Sequence, residues 1–435
     1  MNGTGTNPSG AVDEGPGPDQ GAAGESEFRG CPMGRRFDHH STAFREAAPD
    51  IYAEMHSKCP VIHSDSYGGF TYFTRHADVV TILRDHETFS SVNELDPGKG
   101  RQGDFIPASA VRIGFMETDP PEHSQYRKVF TNWFAPSKVA AYEDRLREIA
   151  IGRIERAAGM GEFDAIEDLA NPITAEVTMD FMGMPLDRLD DFLGPLHKIA
   201  YMTTSSPDFG ELMVEIEAVR GEIREFVLSR RAEPQDDFAS KLIATEINGA
   251  TPPDDTIVEI IWSILAGGFD TSSSVMAYLM HYLTEHPDAR RMLSEQPDLL
   301  PAALEEFVRH GSPQTNAART VTRPTTVGET KLEPGDRVMV GLGAANFDPT
   351  RFEQPHEIKL DREKNFHLSF SDGIHRCPGS RFARVELRVF AEELLRRMPR
   401  FEVHSERILE LPSAGNATGY ISVPATAVGS PAGVV

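Results

Sequence analysis

Apolar residues recur at helical spacing over most of this chain, and the longest such run lies between Asp254 and Glu285. Ile257, Ile260, Ile261, Ile264 and Leu265, then Val275, Met276, Leu279, Met280 and Leu283, leave almost no polar face. A helix that is apolar nearly all round belongs in the middle of a large protein. A further helix is expected at Asp119-Pro120-Pro121-Glu122, where an N-cap candidate precedes two prolines and an acid. Another starts from Ser137 with Tyr142, Leu146, Ile149 and Ile154, and helical patterns continue over 161–231, broken near Pro185 and at 205–208. The last runs from Ala383, where Leu387, Phe390, Leu394 and Met398 repeat. Strand signals are fewer. Pro60–His63 and Phe70–Thr74 flank the turn 64–69 and predict a β-hairpin, with a short helix following to Phe89. The stretches 317–323 and 335–340 predict a second β region. The fold class that follows is mainly α with a smaller β region.

Two segments have no period. Residues 1–28 are rich in Gly, Pro, Ser and acids, so they cannot offset the entropy of ordering and are expected to be a disordered tail. Residues 29–435 are expected to form one domain, since no linker divides them. Residues 90–113 carry Pro97, Gly98, Gly100, Gly103 and Pro107; a long irregular loop inside a compact domain is often functional.

Composition narrows the class of partner. The net charge of −24 over 435 residues argues against nucleic acid and against an anionic membrane surface. No basic stretch precedes an apolar run near the start, and no uninterrupted apolar segment has spanning length, so a soluble cytoplasmic protein is expected. Cys31, Cys59 and Cys377 are too few and too scattered for a disulfide framework, which fits a reducing compartment.

The long central helix breaks its own rule at Gly267-Gly268-Phe269-Asp270-Thr271-Ser272. A mid-helix glycine costs up to about 1 kcal/mol, and a buried aspartate costs more unless it is paired. Local rules that fail together point to a functional site. Thr271 stands four residues after Gly267, so its hydroxyl can bond back to that carbonyl and bend or open the helix. A satisfied helix kink would look the same in sequence.

The second concentration of chemistry is Phe370-Ser371-Asp372-Gly373-Ile374-His375-Arg376-Cys377-Pro378-Gly379. Its cysteine precedes a helical pattern, with Pro378 suited to the first turn. A thiolate there faces the positive end of a helix dipole. Gly373 and Gly379 permit a tight turn or the approach of something large and flat, and the basic His375 and Arg376 suit anionic groups on it.

This stretch resembles the haem-binding signature of the cytochrome P450 family slot for slot, with Pro378 where leucine is commoner. The resemblance extends from about residue 35 to 425 and implies the cytochrome P450 fold, its long central helix crossing the haem. It implies haem b (iron protoporphyrin IX) with Cys377 as the axial thiolate, which favours O–O cleavage. The segment from Gly267 to Ser272 is similar to the family's oxygen-facing motif. Thr271 would hydrogen-bond bound dioxygen or a water beside it, Asp270 would relay protons from solvent, and Gly267 and Gly268 would leave room. His123 and Arg127, Arg319 and His375 match the family's donors to the haem propionates. Arg376 is instead assigned to a face turned toward the electron donor. Glu306 and Arg309 match a Glu-x-x-Arg brace whose usual third partner, an arginine in a Pro-x-Arg-Phe segment, is replaced here by Glu357.

By the same resemblance the substrate pocket would draw on residues 90–113, 200–211, 262–271, 313–318 and 413–420, with Gln314, Thr315, Asn316, Asn416 and Thr418 able to orient a polar group. A small hydrophobic organic molecule, terpenoid or aromatic, is the expected substrate for hydroxylation or oxidative dealkylation; likeness to camphor-hydroxylating relatives points the same way. Arg376, Arg381, Arg384, Arg388 and Lys128 would form a basic face for an acidic ferredoxin or flavodoxin. The implied activity is an O2-dependent haem-thiolate monooxygenase. A peroxide-driven peroxygenase would typically replace Asp270-Thr271, and a haem sensor or carrier would need neither that pair nor a donor surface.

Overall fold

The computed structural model describes residues 36–94, 100–108, 113–202, 207–247 and 249–429. The tail expected over 1–28 lies outside these, as do Cys31 and parts of the irregular loop. In chain order the helices are α1 (Thr42–Lys58), α2 (His76–Arg84), α3 (Glu122–Trp133), α4 (Pro136–Met160), α5 (Asn171–Met182), α6 (Leu189–Tyr201) and α7 (Phe209–Ala232). They continue as α8 (Phe238–Ile243), α9 (Asp254–Glu285), α10 (Pro287–Glu295), α11 (Leu300–Gly311), α12 (Leu342–Asn346) and α13 (Ser380–Arg397).

The strands β1 (Val61–Ser64), β2 (Phe70–Phe73), β3 (Phe89–Ser90), β4 (Glu162–Asp164), β5 (Asn316–Val321), β6 (Thr325–Val327), β7 (Thr330–Leu332) and β8 (Arg337–Gly341) precede the cysteine loop. After it come β9 (Phe401–Val403), β10 (Leu409–Glu410), β11 (Tyr420–Ser422) and β12 (Pro424–Ala427). The main sheet has the order β1-β2-β8-β5-β3. Its first pair is the expected hairpin, with Val61 opposite Phe73, and β8 joins it parallel to β2.

Helix α9 has the bounds that its pattern predicted and lies between α5, α7, α11 and α13. Asp254 and Asp255 in its first turn complement the dipole. Ile257, Ile261, Leu265, Leu279 and Leu283 are fully buried in the largest apolar cluster. Against expectation the helix runs unbroken past Gly267: the Thr271 hydroxyl does donate to the Gly267 carbonyl, at 2.8 Å, but as an added bond that opens nothing.

Three local expectations fail for identifiable reasons. Asp119 does not cap α3, because its carboxylate is taken by the Ser90 hydroxyl and the Ser91 N–H. Pro378 precedes α13 rather than sitting in its first turn, since the chain first needs Gly379 as the N-cap. Cys59 is disulfide-bonded, so the expectation of reduced cysteines does not hold there.

The brace behind the cysteine loop is complete, and Glu357 does not break it. Glu306 and Arg309 are both fully buried and paired at 2.8 Å. Arg362 supplies the missing arginine, its Nε 2.8 Å from Glu306 Oε2, while Glu357 contributes only its backbone carbonyl, which accepts from Arg309 and Arg362. Burial alone would raise the Glu306 carboxyl; the two arginines and the Lys359 N–H reverse this and hold it at about 2.

Candidate active site

A mostly apolar cavity of about 250 Å³ lies between the middle of α9 and the loop before α13. Gly267, Gly268 and Thr271 line one wall, and Phe370, His375, Cys377 and Gly379 the other. These are the two motifs singled out in the sequence, separated by about a hundred residues, and folding brings them face to face. Phe115 and Met116 before α3, and Thr178, Phe181 and Met182 of α5, also line the cavity, although no motif marked them.

The cysteine loop is held by its backbone. The Cys377 N–H donates to the Phe370 carbonyl at 2.9 Å. Gly373 has φ +67°, and a Cβ there would lie 2.1 Å from the Leu83 carbonyl oxygen of α2, so both conformation and contact demand glycine. Asp372 fastens the same turn by accepting from its neighbour's N–H at 2.7 Å and from Arg84 at 3.0 Å. The result is a fixed thiol, free of disulfide, on the cavity floor. Burial pushes that thiol up, opposed by the Gly379 N–H and the Arg127 charge. A thiol so placed remains a thiol unless a metal deprotonates it. Among the described residues no cluster of three or more His, Cys, Asp or Glu could hold a metal by itself.

The proposed propionate donors converge, but not in equal states. His123 and His375 pack with ring centroids 4.4 Å apart and their planes tilted by 58°, and His123 Nε2 and both ring nitrogens of His375 are buried without a hydrogen-bond partner. Burial and nearby arginine charge lower both, His123 to about 4, so without an anion facing them both imidazoles are held neutral. Arg127 donates to the Arg376 carbonyl at 2.5 Å. Arg319 is buried against Asp104, a residue no motif marked; desolvation, with Arg337 nearby, lowers it to about 9.

Across the cavity, a Cβ at Gly267 would meet nothing within 4 Å, whereas one at Gly268 would lie 3.0 Å from the Thr178 hydroxyl. Only the first glycine therefore opens space. Asp270 is paired with His197 of α6, its Oδ1 2.7 Å from Nδ1. No local pattern marks His197 in the sequence; the only hint was that a buried aspartate must find a partner. Glu386 of α13 also borders the cavity, where burial raises its carboxyl to about 8 against a hydrogen bond with Ser272.

Two larger expectations shrink. Thr315, Asn316 and Thr418 spend their side chains on the Ala414, Gly415 and Gly311 carbonyls; they staple loops together. Of the expected polar set Gln314 alone lines this cavity, and residues 413–420 contribute instead to a neighbouring one. In the basic face, Arg384 is paired with Glu305 and Arg388 with Glu143 and Glu392. Lys128, Arg376 and Arg381 remain exposed.

Comparison with known proteins agrees with this geometry. A family model described as cytochrome P450 matches residues 70–416. Cytochrome P450 130 of Mycobacterium tuberculosis is 33% identical over 348 residues, covering 77% of this chain and 83% of the relative. Linalool 8-monooxygenase of Pseudomonas putida is 30% identical over 372 residues, covering 82% and 90%. The open form of cytochrome P450 EryK from S. erythraea has a TM-score of 0.79 at 28% identity, covering 92% of this chain and 100% of that one.

Proposed function

The chain belongs to the cytochrome P450 family and is a monooxygenase; from this we propose that it holds haem b on Cys377 and hydroxylates a small lipophilic substrate with electrons from a separate acidic ferredoxin or flavodoxin. The observation that carries the proposal is a free thiol and the unpartnered His375 imidazole lining one cavity, with Gly267 and Thr271 opposite and a third unpartnered nitrogen on His123 packed behind His375. Buried polar atoms without partners are rare in folded proteins and call for an explanation; the carboxylates of a porphyrin supply it. Residues 29–435 would form one haem domain.

In this reading Cys377 would hold the iron, and His123, Arg127, Arg319 and His375 would receive the propionates. Phe370 and Gly379 line the cavity beside the Cys377 sulfur, Gly373 fixes the loop, and Gly267 leaves space across the cavity where the group would sit. Haem, when bound, supplies dioxygen binding and reductive activation. The chain's own part is to exclude water, orient the substrate and move protons. The apolar lining of Phe115, Met116, Phe181, Met182, Ile264 and Val275 suits a terpenoid, which fits the relative named for linalool. The Thr271 hydroxyl donates to Gly267 O and lines the cavity; it would accept a proton from the Asp270 side as its own proton leaves that carbonyl and passes on.

Thr271→Ala tests the proton role. The variant loses one added bond inside an intact helix, so the fold should survive. Supplied with NADH, a bacterial ferredoxin and its reductase, it is expected to consume NADH at a similar rate but divert most electrons to peroxide, with product falling about tenfold or more. Unaltered coupling would contradict the assignment.

The donor surface has its own test. Lys128→Glu and Arg381→Glu should each slow reduction by ferredoxin several-fold at low salt and flatten its salt dependence, because exposed charges steer association and are screened by ions. An unchanged salt slope in both would rule this face out as the docking surface. Among the described residues no helix is long and apolar enough to cross a membrane.

A further inference from the structure

His197 lies outside every motif, yet it joins three segments, α6, α9 and β11. Its Nδ1 is 2.7 Å from Asp270 Oδ1 on α9, and its Nε2 is 3.2 Å from the Ile421 carbonyl oxygen on β11. Both partners are oxygen acceptors when Asp270 is ionised. A neutral imidazole has a single N–H and can satisfy only one of them. The arrangement is complete only if the pair holds one more proton, either as imidazolium facing carboxylate or as neutral imidazole facing a protonated Asp270.

We infer that His197 and Asp270 together form a one-proton store that supplies Thr271, with His197 as the positioning and reloading partner rather than a group in contact with the reacting atoms. The inference rests on the relay reading of Asp270 and Thr271 and adds where the proton waits. One proton leaves the pair toward the Thr271 side, a neutral imidazole bonded to carboxylate remains, and solvent returns a proton at the pair's exposed edge. That edge exists, since the side chains of His197 and Asp270 are 11% and 17% exposed.

The surroundings favour retention of the proton. Desolvation would lower His197, but its bonds to Asp270 and Ile421, with Glu167 on the segment 165–170, raise it above the usual 6.5. Desolvation also raises Asp270, with His197 opposing. The adjacent Lys198 does not compete, being engaged with Glu215 at 2.9 Å. The store is therefore full below the ordinary imidazole range and empties only as pH rises past it.

Isotope-labelled holoenzyme, reduced and bound with carbon monoxide so that it is diamagnetic, allows the pair to be read by NMR, with His197→Gln giving the assignment. At pH 7 either His197 carries protons on both ring nitrogens or the Asp270 carboxyl carbon has the shift of a protonated acid. Asp270→Asn should lower the His197 midpoint by more than one pH unit. A singly protonated His197 beside an ionised Asp270 would overturn the inference. Turnover separates it from the reading beneath. Asp270→Asn and His197→Gln should both slow oxygen-dependent product formation about tenfold and raise its solvent deuterium isotope effect. No effect of Asp270→Asn sinks the relay itself; an effect of Asp270→Asn with none of His197→Gln sinks only the store.

Discussion

Replacing Arg309 by leucine is expected to destabilise the folded protein by about 3–5 kcal/mol, the usual cost of stranding one partner of a buried ion pair. That is a large part of the roughly 5–15 kcal/mol that holds a typical protein folded. The size follows from the number of buried bonds lost at once, although Arg362 still pairs with Glu306. The guanidinium bonds both oxygens of Glu306 at 2.8 Å, and the carbonyls of Asn346 and Pro355 at 2.8 Å and of Glu357 at 3.2 Å. Leucine leaves each of these acceptors buried, and lysine, with only three N–H groups, could not replace the planar fork.

The same network sets an acid limit. Because the Glu306 carboxyl is held at about 2 in the fold, below its usual 4.5, its contribution is complete above 4.5 and is lost as pH falls toward 2. Denaturant unfolding at pH 7, followed by circular dichroism, measures the change. A loss under about 1 kcal/mol for Arg309→Leu would show that the brace does not bear the stability assigned to it.

The second large effect is chemical. Cys377→Ala should bring oxygen-dependent product formation to background while leaving the protein folded. The sulfur accepts the Gly379 and Ser380 N–H groups, but the turn itself is fixed by the Cys377 N–H bond to Phe370 O, by Gly373 against Leu83 and by Asp372 with Arg84. An alanine side chain fits the same backbone. What disappears is the one group on the cavity floor able to ligate iron as a thiolate, whose electron donation favours O–O cleavage. Retention of the circular dichroism spectrum together with loss of turnover is the expected pair of results. Turnover within tenfold of the unaltered protein would mean that the ligand lies elsewhere.

What could be read from the sequence divides along a physical line. The bounds of α9 and the β1–β2 hairpin were legible because their signals are local: a long apolar run at helical spacing, and two strand-like runs around a glycine-containing turn. The two motifs were legible because each has a fixed internal spacing. Partners supplied by distant segments were not. His197 lies 73 residues from Asp270, and Arg362 lies 56 from Glu306, with no pattern in between to connect them. Reading Pro355–Ile358 as the whole brace led to Glu357 as a defect, when the needed charge arrives five residues later from a different turn. Polar side chains near the site misled in the other direction. Thr315, Asn316 and Thr418 serve backbone carbonyls, and Arg384 and Arg388 serve glutamates, because groups near the interior are normally satisfied locally.

If Cys377 binds haem iron as a thiolate, the reduced, carbon monoxide-bound absorption spectrum will show it. The haem-loaded protein should give the red-shifted band characteristic of its family, and Cys377→Ala, loaded in the same way, should lack it. A variant that keeps the band, or an unaltered protein that binds haem without ever showing it, would contradict the account.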